Sequence, residues 1–354
     1  MARRQQARTN AAWHASRSPS PVRSRRAGWP LLAAAVGLMS GGCSATYDVG
    51  STGSHGPLPV DERNPVVIVN DFAFDNWQGE YAMLLSSTGG QKLVGIVVDW
   101  NTFGNDVSTN LAAWRVTVTA ARASGLKNIP DPIASMATPL VRPSDGNILS
   151  TAPNRSDGAL FIIEMSKRFS LPGRPLVVAT GAALTDIADA YLVDPTVRDR
   201  VVVVASLGST DGSGASMGSP NGDLDPWADV IVAEQFRYVQ VSAFYDQTAD
   251  LPASRVSDLP ANPFVAHMAA KRSGLNGWQP ASDQVSVLAA GLPKFVTSSE
   301  RMRVAAGSVG AGSNNGPELT PDPQGSIWVV SGCEGSLPGQ RLLDLLSEPK
   351  TFGL

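Results

Sequence analysis

The sequence predicts an α/β protein built on a single-domain, open and mostly parallel sheet that is flanked by helices. Its composition, with 43% hydrophobic and 17% charged residues, is that of a folded chain rather than a disordered one. Helical patterns alternate with short runs rich in Val and Ile, which read as strands buried on both faces. These runs are residues 65–69, 92–98, 174–180, 200–206, 237–243 and 326–331.

The segments between the strand candidates have the periodicity of helices with one apolar face. In the clearest of them, Leu111, Trp114 and Val118 form an apolar stripe, and Gly125 follows where glycine commonly ends a helix. The regular alternation predicts one domain over residues 64–354. The helical segments are 107–125, 158–169, 183–195, 225–236, 262–274 and 282–292.

The start of the chain has the pattern of an export signal. Residues 1–26 are rich in arginine and contain no acidic residue, and a short apolar run then ends at Gly-Gly-Cys43. That run is shorter than the ~20 apolar residues that a transmembrane helix needs. The pattern resembles a bacterial lipoprotein signal with Cys43 as the lipidated residue. The alternative is a plain secretory signal that is cut near Cys43.

This interpretation divides the chain into a signal peptide at residues 1–43, a flexible tether rich in Ser, Gly and Pro at 44–63, and the domain at 64–354. It predicts an exported protein that meets a membrane only through a lipid anchor, in the periplasm or at the cell surface, or else a secreted soluble protein. The formal net charge of −3 and the lack of a basic stripe argue against a nucleic-acid partner. Cys333, the other cysteine, ends an apolar run and reads as a buried thiol.

Polar residues follow several of the predicted strands. In "VVIVNDFAFDNWQGE", a buried run stops at Asp71, and Asp75 and Asn76 come next. Asn105 follows the second strand candidate, and Thr180 ends the third. The carboxyl ends of parallel strands share one edge, where α/β proteins bind ligands. Carboxylate and amide oxygens there suit Ca²⁺. The alternative is that the Asp and Asn residues only cap a helix that begins near Trp77.

An ordered set of segments resembles the inosine–uridine nucleoside hydrolase family. "VVIVNDFAFDNWQGEYAML" resembles its opening strand and D-T-D-P-G-x-D-D motif, and "LVGIVVDWNTFGNDVSTNLAAW" its next strand and Gly-Asn loop. "LVVATGAALTDIADAYL" is similar to the stretch around its T-G-x-L-T-N motif. "NGDLDPWADVIVAE" resembles its N-x-x-x-D-P helix start, and "SDQVSVLAAGLP" its H-D-P segment. The resemblance implies that family's fold, with a Rossmann-like core.

The resemblance also implies roles for individual residues. Asp71 would be the general base and, with Asn76, the Thr180 carbonyl and Asp283, would hold Ca²⁺. The sugar would be held by a second group of residues, which comprises Asp75, Asn105 and Asn221 at matching motif positions, and Ser213 and Ser282 at replaced ones.

Several positions depart from the family pattern. Val69 stands where the first motif Asp belongs, and Asn76 replaces an acidic Ca²⁺ ligand. Ser282 takes the place of the His that helps the leaving base depart, and Ser213 and Ser219 replace residues that grip the ribose. The inner residues of the motif set are kept, whereas the outer ones are changed.

The resemblance therefore implies a nucleoside hydrolase-like protein that uses Ca²⁺ to hydrolyse the N-glycosidic bond of a ribonucleoside or a related ribosyl compound. Its partner would be that small molecule, and the sequence gives no indication of the oligomeric state. The departures leave open a catalytically impaired, surface-anchored relative that binds a sugar or nucleoside without cleaving it. They also leave open an enzyme that cleaves some other ribosyl or glycosyl bond.

If Cys43 is lipidated, the mature protein extracted from membranes will begin at Cys43 and carry a diacylglycerol, which intact-mass measurement detects. Cys43→Ser should move the protein from the membrane fraction to the soluble fraction. Cys333→Ser is the matched control and should leave it in the membrane. A soluble wild-type product that begins at another residue would contradict the lipoprotein interpretation.

Overall fold

The central strands of the sheet are buried on both faces. Along the first strand, Val66 and Ile68 belong to one apolar cluster, whereas Val67 and Val69 belong to another, because successive side chains of a strand point to opposite faces. The computed structural model describes residues 58–71, 77–100, 106–206, 220–241, 259–272, 283–292, 294–306 and 317–353. All of them fall within one compact unit, Asp48–Leu354.

Within this described part, one mixed sheet contains the strands Pro65–Asn70 (β1), Lys92–Val98 (β2), Pro132–Ala134 (β3), Leu176–Gly181 (β4), Val201–Ser206 (β5), Arg237–Val241 (β6), Val296–Val304 (β7), Leu319–Pro321 (β8) and Ile327–Cys333 (β9). The strand order is β3-β2-β1-β4-β5-β6-β9-β7-β8. The pairs from β3 to β9 in that order are parallel. Only β7 pairs antiparallel there, with β8 and with β9.

Helices cover the two faces of this sheet. The described α-helices are Gln78–Ser87 (α1), Val107–Ala123 (α2), Asp157–Phe169 (α3), Thr185–Val193 (α4), Pro220–Leu224 (α5), Pro226–Gln235 (α6), Pro263–Arg272 (α7), Gln284–Gly291 (α8) and Leu337–Ser347 (α9). Apolar residues of α1, α2, α7, α8 and α9 belong to the cluster that contains Ile68. Those of α3, α4 and α6 belong to the cluster that contains Val67.

The α/β fold class and the mostly parallel sheet are confirmed. Each predicted strand and helix is present, and its ends are displaced by at most two residues. The sequence patterns missed β3 and β8, which have only three residues each and are too short to show a period. They also missed β7, whose many exposed polar residues break the apolar run expected of a buried strand. Lying near the edge of the sheet, β7 needs fewer apolar side chains.

The segment that packs against the domain begins before residue 64, where the composition predicted that the domain starts. Leu58 and Val60 lie in the predicted tether, yet both are buried members of the cluster that contains Ile68. The Asn64 side chain donates a hydrogen bond to the Pro175 carbonyl at 2.8 Å. The ordered domain therefore includes at least residues 58–63. Two apolar side chains are enough to dock a segment that reads as a linker by its Ser, Gly and Pro content.

The structure also bears on the expected lack of a transmembrane helix and on the burial of Cys333. No helix in the described segments is long and apolar enough to cross a membrane, and the signal segment with Cys43 lies outside them. Cys333 is half-buried at the end of β9 rather than fully buried. Partial burial raises the pKa of its thiol to about 11, so this thiol is protonated at neutral pH and is a poor nucleophile.

The ends of α1 and α2 offer a matched pair of glycines. Gly89 and Gly125 have φ angles of +76° and +93°, and each follows the C-cap residue of its helix. A Cβ at Gly89 would meet nothing within 4 Å, whereas a Cβ at Gly125 would lie 2.0 Å from the Phe352 carbonyl oxygen. The second glycine is therefore needed both for its backbone conformation and for contact with the C-terminal segment.

We expect Gly89→Ala to lower the free energy of unfolding by about 1 kcal/mol, the usual cost of this backbone conformation for alanine. Gly125→Ala should cost clearly more, by about 1–3 kcal/mol in addition, because the Phe352 segment must move. Denaturant unfolding of both variants measures the difference. Equal losses would show that the contact with Phe352 contributes nothing to stability.

Candidate functional site

The direction in which strands are added to the sheet reverses between β1 and β4. The chain places β2 and β3 on one side of β1, then crosses to β4 and continues through β5 and β6 on the other side. In open α/β sheets, a crevice forms at the carboxyl ends of the strands at such a reversal. Asn70, the last residue of β1, pairs with Gly181, the last residue of β4. Asp71 follows Asn70 directly and is 5% exposed.

Asp283 reaches the same point from a distant part of the chain. It occupies the N-cap of α8, but its side chain makes no capping hydrogen bond. The side chain instead lies against Gly181, where an added Cβ would be 2.1 Å from the Asp283 Cβ. Glycine therefore allows this close approach. Two buried carboxyl groups, those of Asp71 and Asp283, stand at the paired ends of β1 and β4.

Asn221 connects this point to the end of β5. Its Nδ2 donates to the Ser206 carbonyl at 3.2 Å and to Asp283 Oδ1 at 3.0 Å. Asn221 lies on the short helix α5, and Asp225 just beyond it caps α6 by accepting from the Ala228 amide at 3.0 Å. Asp225 also accepts from the Thr185 hydroxyl at 2.8 Å. These bonds fix the segment that carries Asn221.

A second set of hydrogen bonds holds α1, β4 and α8 together. The fully buried Gln78 donates through Nε2 to the Ala179 carbonyl at 3.1 Å and to Ser286 Oγ at 2.7 Å. Ser286 Oγ in turn donates to the Asp283 carbonyl at 2.7 Å. The start of α1, which follows the Asp71 segment in sequence, is thereby linked to the residue that places Asp283. These hydrogen bonds of Gln78 and Ser286 position the backbone of β4 and of Asp283.

Four of the predicted site residues are described, and they lie together: Asp71, Thr180, Asn221 and Asp283. Thr180 is fully buried, and its hydroxyl accepts from the Ala182 amide at 3.1 Å. The remaining predicted residues lie outside the described segments, namely Cys43, Asp75, Asn76, Asn105, Ser213 and Ser282.

The helix-capping alternative for the opening motif concerns the start of α1. The N-cap residue of that helix is Trp77, whose side chain makes no capping hydrogen bond. Asp71 lies several residues earlier, at the end of β1. Asp71 is therefore not the N-cap residue of α1. Asp75 and Asn76, to which the same alternative applies, are outside the described segments.

The described residues fit a hard cation in the chemical type of their donors. Asp71 and Asp283 supply buried carboxylates at adjacent strand ends, and carboxylate oxygens are the ligands that Ca²⁺ prefers. Among the described segments, no group of three or more His, Cys, Asp or Glu side chains is arranged to hold a metal ion. The other side chain expected to take part, Asn76, is not among them.

Two more buried acids lie behind the strand ends. Burial raises the pKa of Asp99 well above its usual range, and the charges of Asp186 and Asp71 raise it further. Burial also raises the pKa of Asp186 to about 6, although the hydroxyls of Ser135 and Ser156 oppose this shift. The sequence patterns did not single out either acid. The signal available was Asp99 at the end of the apolar run "LVGIVVD", a charged residue where a buried strand ends.

Comparisons with known proteins agree on the fold. No protein-family model matches the chain, and no curated protein matches it. Among solved structures, an inosine-guanosine nucleoside hydrolase superposes with a TM-score of 0.56 at 16% identity, covering 80% of this chain and 99% of the other. A purine-preferring ribonucleoside hydrolase from Gardnerella vaginalis gives 0.55 at 17%, covering 82% and 98%.

A nucleoside hydrolase-related hypothetical protein from Saccharophagus degradans, associated with carbohydrate metabolism, gives a TM-score of 0.51 at 13% identity, covering 81% of this chain and 72% of the other. The chain therefore has a nucleoside hydrolase-like fold. At these identities the likeness establishes the architecture alone.

The contact between Gly181 and Asp283 can be tested by a double-mutant cycle. Gly181→Ala should lower the free energy of unfolding by about 1–3 kcal/mol, because its methyl group overlaps the Asp283 side chain. The same change in an Asp283→Gly background should cost clearly less, since the overlapping atoms are gone. Gly90→Ala is the control: its nearest contact would be an ordinary 3.5 Å. Equal costs in both backgrounds would refute the contact.

Proposed function

We propose that this protein hydrolyses the N-glycosidic bond of a ribonucleoside or a related ribosyl compound with the help of Ca²⁺. One observation carries the proposal: Asp71, Asp283 and Asn221 converge at the strand reversal of a nucleoside hydrolase-like fold. The family pattern has an acid at the positions of Asp71 and Asp283 and an amide at the position of Asn221. Their convergence depends on residues that are far apart in sequence, so local turn chemistry does not account for it.

In the proposed reaction, Asp71 accepts a proton from the attacking water. The sugar is held in reach by amide and carboxylate side chains: Asn221 beside the end of β5, and Asp75 and Asn105, which follow β1 and β2 in sequence. The bond breaks through an oxocarbenium-like state, as in glycoside hydrolysis. Bound Ca²⁺ would lower the pKa of a water molecule and orient the sugar hydroxyls.

The residues proposed to hold Ca²⁺ are Asp71, Asn76, Asp283 and the carbonyl of Thr180. Of these, Asp71 and Asp283 bring two negative charges, and Asn76 brings a neutral oxygen where the family pattern has a third acid. Affinity in calcium sites follows the number of charged ligands and the rigidity of the site. We therefore expect weak binding, with a Kd on the order of 10⁻⁴ M as in extracellular modules.

The leaving group should decide which compounds are cleaved well. Ser282 stands in place of the family's His, so the chain lacks that general acid for a departing base. General acid assistance contributes roughly a hundredfold to ten-thousandfold in rate. Purine nucleosides, whose bases leave poorly without protonation, should therefore react slowly. A riboside with a stable phenolate leaving group should react much faster.

The chief alternative is a protein that binds a sugar or nucleoside and does not cleave it. The replacements at Val69, Asn76, Ser213 and Ser282 favour this alternative, because fold alone does not imply function. A second alternative is cleavage of another glycosyl bond. It is supported by the structural likeness to the Saccharophagus protein, which is described as associated with carbohydrate metabolism.

The proposed setting is outside the cytoplasm. The arginine-rich start and the run that ends at Cys43 support export and attachment through a lipid on that cysteine, with soluble secretion as the alternative. A weak calcium site suits such a setting, because extracellular calcium modules work in the range of 10⁻⁴–10⁻³ M. The partner would be a small nucleoside or ribosyl compound.

Incubation with inosine, uridine and a phenolic riboside in the presence of Ca²⁺, with free ribose as the readout, separates these functions. We expect turnover that is fastest with the phenolic riboside and that Asp71→Asn abolishes. Asp344→Asn, at an exposed position of α9, is the control and should keep full activity. Thermal stabilisation by a nucleoside without release of ribose would support the binding protein instead.

Calorimetric titration of Ca²⁺ tests the metal proposal separately. Wild type should bind weakly, Asn76→Asp should bind more tightly because it restores a carboxylate, and Asp71→Asn should not bind. Asp344→Asn should match wild type. If neither wild type nor Asn76→Asp binds Ca²⁺, the calcium site is refuted.

A further inference from the structure

The chain enters the domain at the edge of the sheet opposite the candidate site. The strands β1, β2, β4 and β5 are parallel, so their first residues share one edge, which we call the amino edge. Asn64 precedes β1, and its Nδ2 donates at 2.8 Å to the carbonyl of Pro175, which precedes β4. Because β1 and β4 have six residues each, this edge lies roughly 20 Å from the strand ends beside which Asp71 and Asp283 lie.

A tight turn at the amino edge, directly before β4, carries an exposed leucine. The Leu171 amide donates to the Arg174 carbonyl at 2.9 Å, and the Arg174 amide donates to the Leu171 carbonyl at 2.8 Å. Gly173 has a φ angle of +72° within this turn. Leu171 is 62% exposed. Two backbone hydrogen bonds therefore hold an apolar side chain in water, next to the Pro175 carbonyl that Asn64 binds.

Three exposed basic residues belong to the same part of the surface, namely Lys92, Arg168 and Arg174. Within the described segments, none of the three forms an ion pair. Lys92 Nζ lies 4.7 Å from the centroid of the Phe169 ring, and Arg168 Cζ lies 5.0 Å from it. Phe169 therefore keeps two cations beside the turn that follows it in sequence. We call Lys92, Arg168, Leu171 and Arg174 the basic turn patch.

The charge of the amino edge contrasts with the charge of the domain. Residues 58–354 contain 21 Lys and Arg and 30 Asp and Glu, which give a formal net charge of −9. Seven basic and five acidic residues occur in the segments that flank the starts of β1, β2, β4 and β5, namely 58–64, 86–92, 164–175 and 193–200. One of these acids, Asp194, is already paired with both Lys167 and Arg200. The amino edge therefore has a surplus of positive charge on an acidic domain.

Local structure explains only part of this patch. Cations at the carboxyl end of a helix interact favourably with the helix dipole, and Lys167 and Arg168 lie in the last turn of α3. That interaction does not account for Lys92 at the start of β2, for Arg174 or for the exposed Leu171. An apolar side chain among cations suits a partner that is anionic at its surface and apolar beneath it. An anionic lipid bilayer has this chemistry.

The length of chain between Cys43 and the domain fits a membrane at the amino edge. Residues 43–57 separate the proposed lipid from Leu58, the first described residue. A stretch of this length reaches at most about 50 Å when fully extended, and about 20 Å on average if it behaves as a flexible Ser- and Gly-rich chain. With Asn64 bound at the amino edge, so short a connection favours that edge as the side facing the membrane. This step rests on the lipid attachment proposed above.

We propose that the basic turn patch docks on the anionic headgroups of a lipid bilayer and that the candidate site thereby faces away from the membrane. The lipid on Cys43 supplies the attachment, so the contribution of the patch is orientation. The rest of the acidic domain is repelled by the same anionic surface, which strengthens the preference for the amino edge. A crevice on the far side of the domain stays open to small soluble substrates.

Co-sedimentation of the mature Cys43→Ser protein with vesicles tests the patch in the absence of the lipid. We expect binding to vesicles of phosphatidylglycerol and phosphatidylcholine in equal parts and much weaker binding to phosphatidylcholine alone. Binding should be lost at about 1 M salt, where charges are screened beyond about 3 Å. Equal binding to both kinds of vesicle would show that charge does not direct the contact and would overturn the proposal.

Charge removal at the patch should weaken this binding selectively. Each basic residue near an anionic surface is worth about a fivefold change in the partition coefficient. The triple variant Lys92→Gln, Arg168→Gln and Arg174→Gln should therefore bind on the order of a hundredfold more weakly. A matched control removes the same charge from three exposed arginines away from these strand starts, through Arg115→Gln, Arg142→Gln and Arg155→Gln. The control should bind far more tightly than the patch variant, and equal losses in the two would refute the patch.

A fluorescent label tests the orientation directly. Leu171→Cys and Leu149→Cys, each in a background of Cys43→Ser and Cys333→Ser, accept an environment-sensitive dye at leucines that are 62% and 75% exposed. Leu149 lies in the connection from β3 to α3, which leaves the sheet at the carboxyl ends of the strands. On anionic vesicles the label at position 171 should shift its emission to the blue, and the label at 149 should not. Equal shifts at the two positions would contradict the orientation.

The outcomes distinguish the docking surface from the functions proposed above. If wild type carries no lipid while the Cys43→Ser protein binds anionic vesicles through the patch, the attachment is refuted and the docking surface stands. Ribose release is measured without vesicles, so a failure of hydrolysis leaves this result unchanged. If the Cys43→Ser protein binds no anionic vesicles and its label at position 171 does not shift, the docking surface is refuted.

Discussion

The pairing of β1 with β4 is the constraint on which the candidate site depends. Asn70 and Gly181 end the two strands side by side at the point where strand order reverses. Only at such a reversal do the connections leave in opposite directions and open a crevice. Gly181 then has a second task, since its missing side chain admits Asp283 to the strand end. Strand register and one glycine thus bring together two acids that are more than two hundred residues apart in sequence.

The polar side chains around this point are buried, and several of them are hydrogen-bonded to backbone or to one another. Carboxyl and amide side chains placed at the ends of buried strands need partners, because an unsatisfied buried group costs about 1–3 kcal/mol. Asn221 serves Asp283 and the end of β5, and Gln78 joins β4 to Ser286. Ser156 donates to Asp186 in the first turn of α4. The strand ends are therefore tied to the helices by hydrogen bonds as well as by apolar packing.

Positions that match the family pattern and positions that depart from it can be compared by their surroundings in the structure. Residues that touch backbone or another buried side chain, such as Asn221 and Gly181, conform to the family pattern, and their replacement would leave gaps or overlaps in a closely packed interior. Of the changed positions, Val69 is fully buried in the cluster that contains Val67, whereas Ser282 takes the place of the His proposed to assist the leaving group. A fold that matches while the proposed catalytic groups differ is compatible with an enzyme for a different leaving group or with a binding protein.

The sequence alone determined the α/β class, the strands and helices of the core, and the placement of Asp71 and Thr180 at strand ends, because these follow from local periodicity and from the alternation of elements. It could not give the strand order, the docking of Leu58 and Val60, or the burial of Asp99 near Asp186. Those features depend on contacts between side chains that are far apart in sequence. Strand register and packing determine such contacts, and no local sequence pattern encodes them.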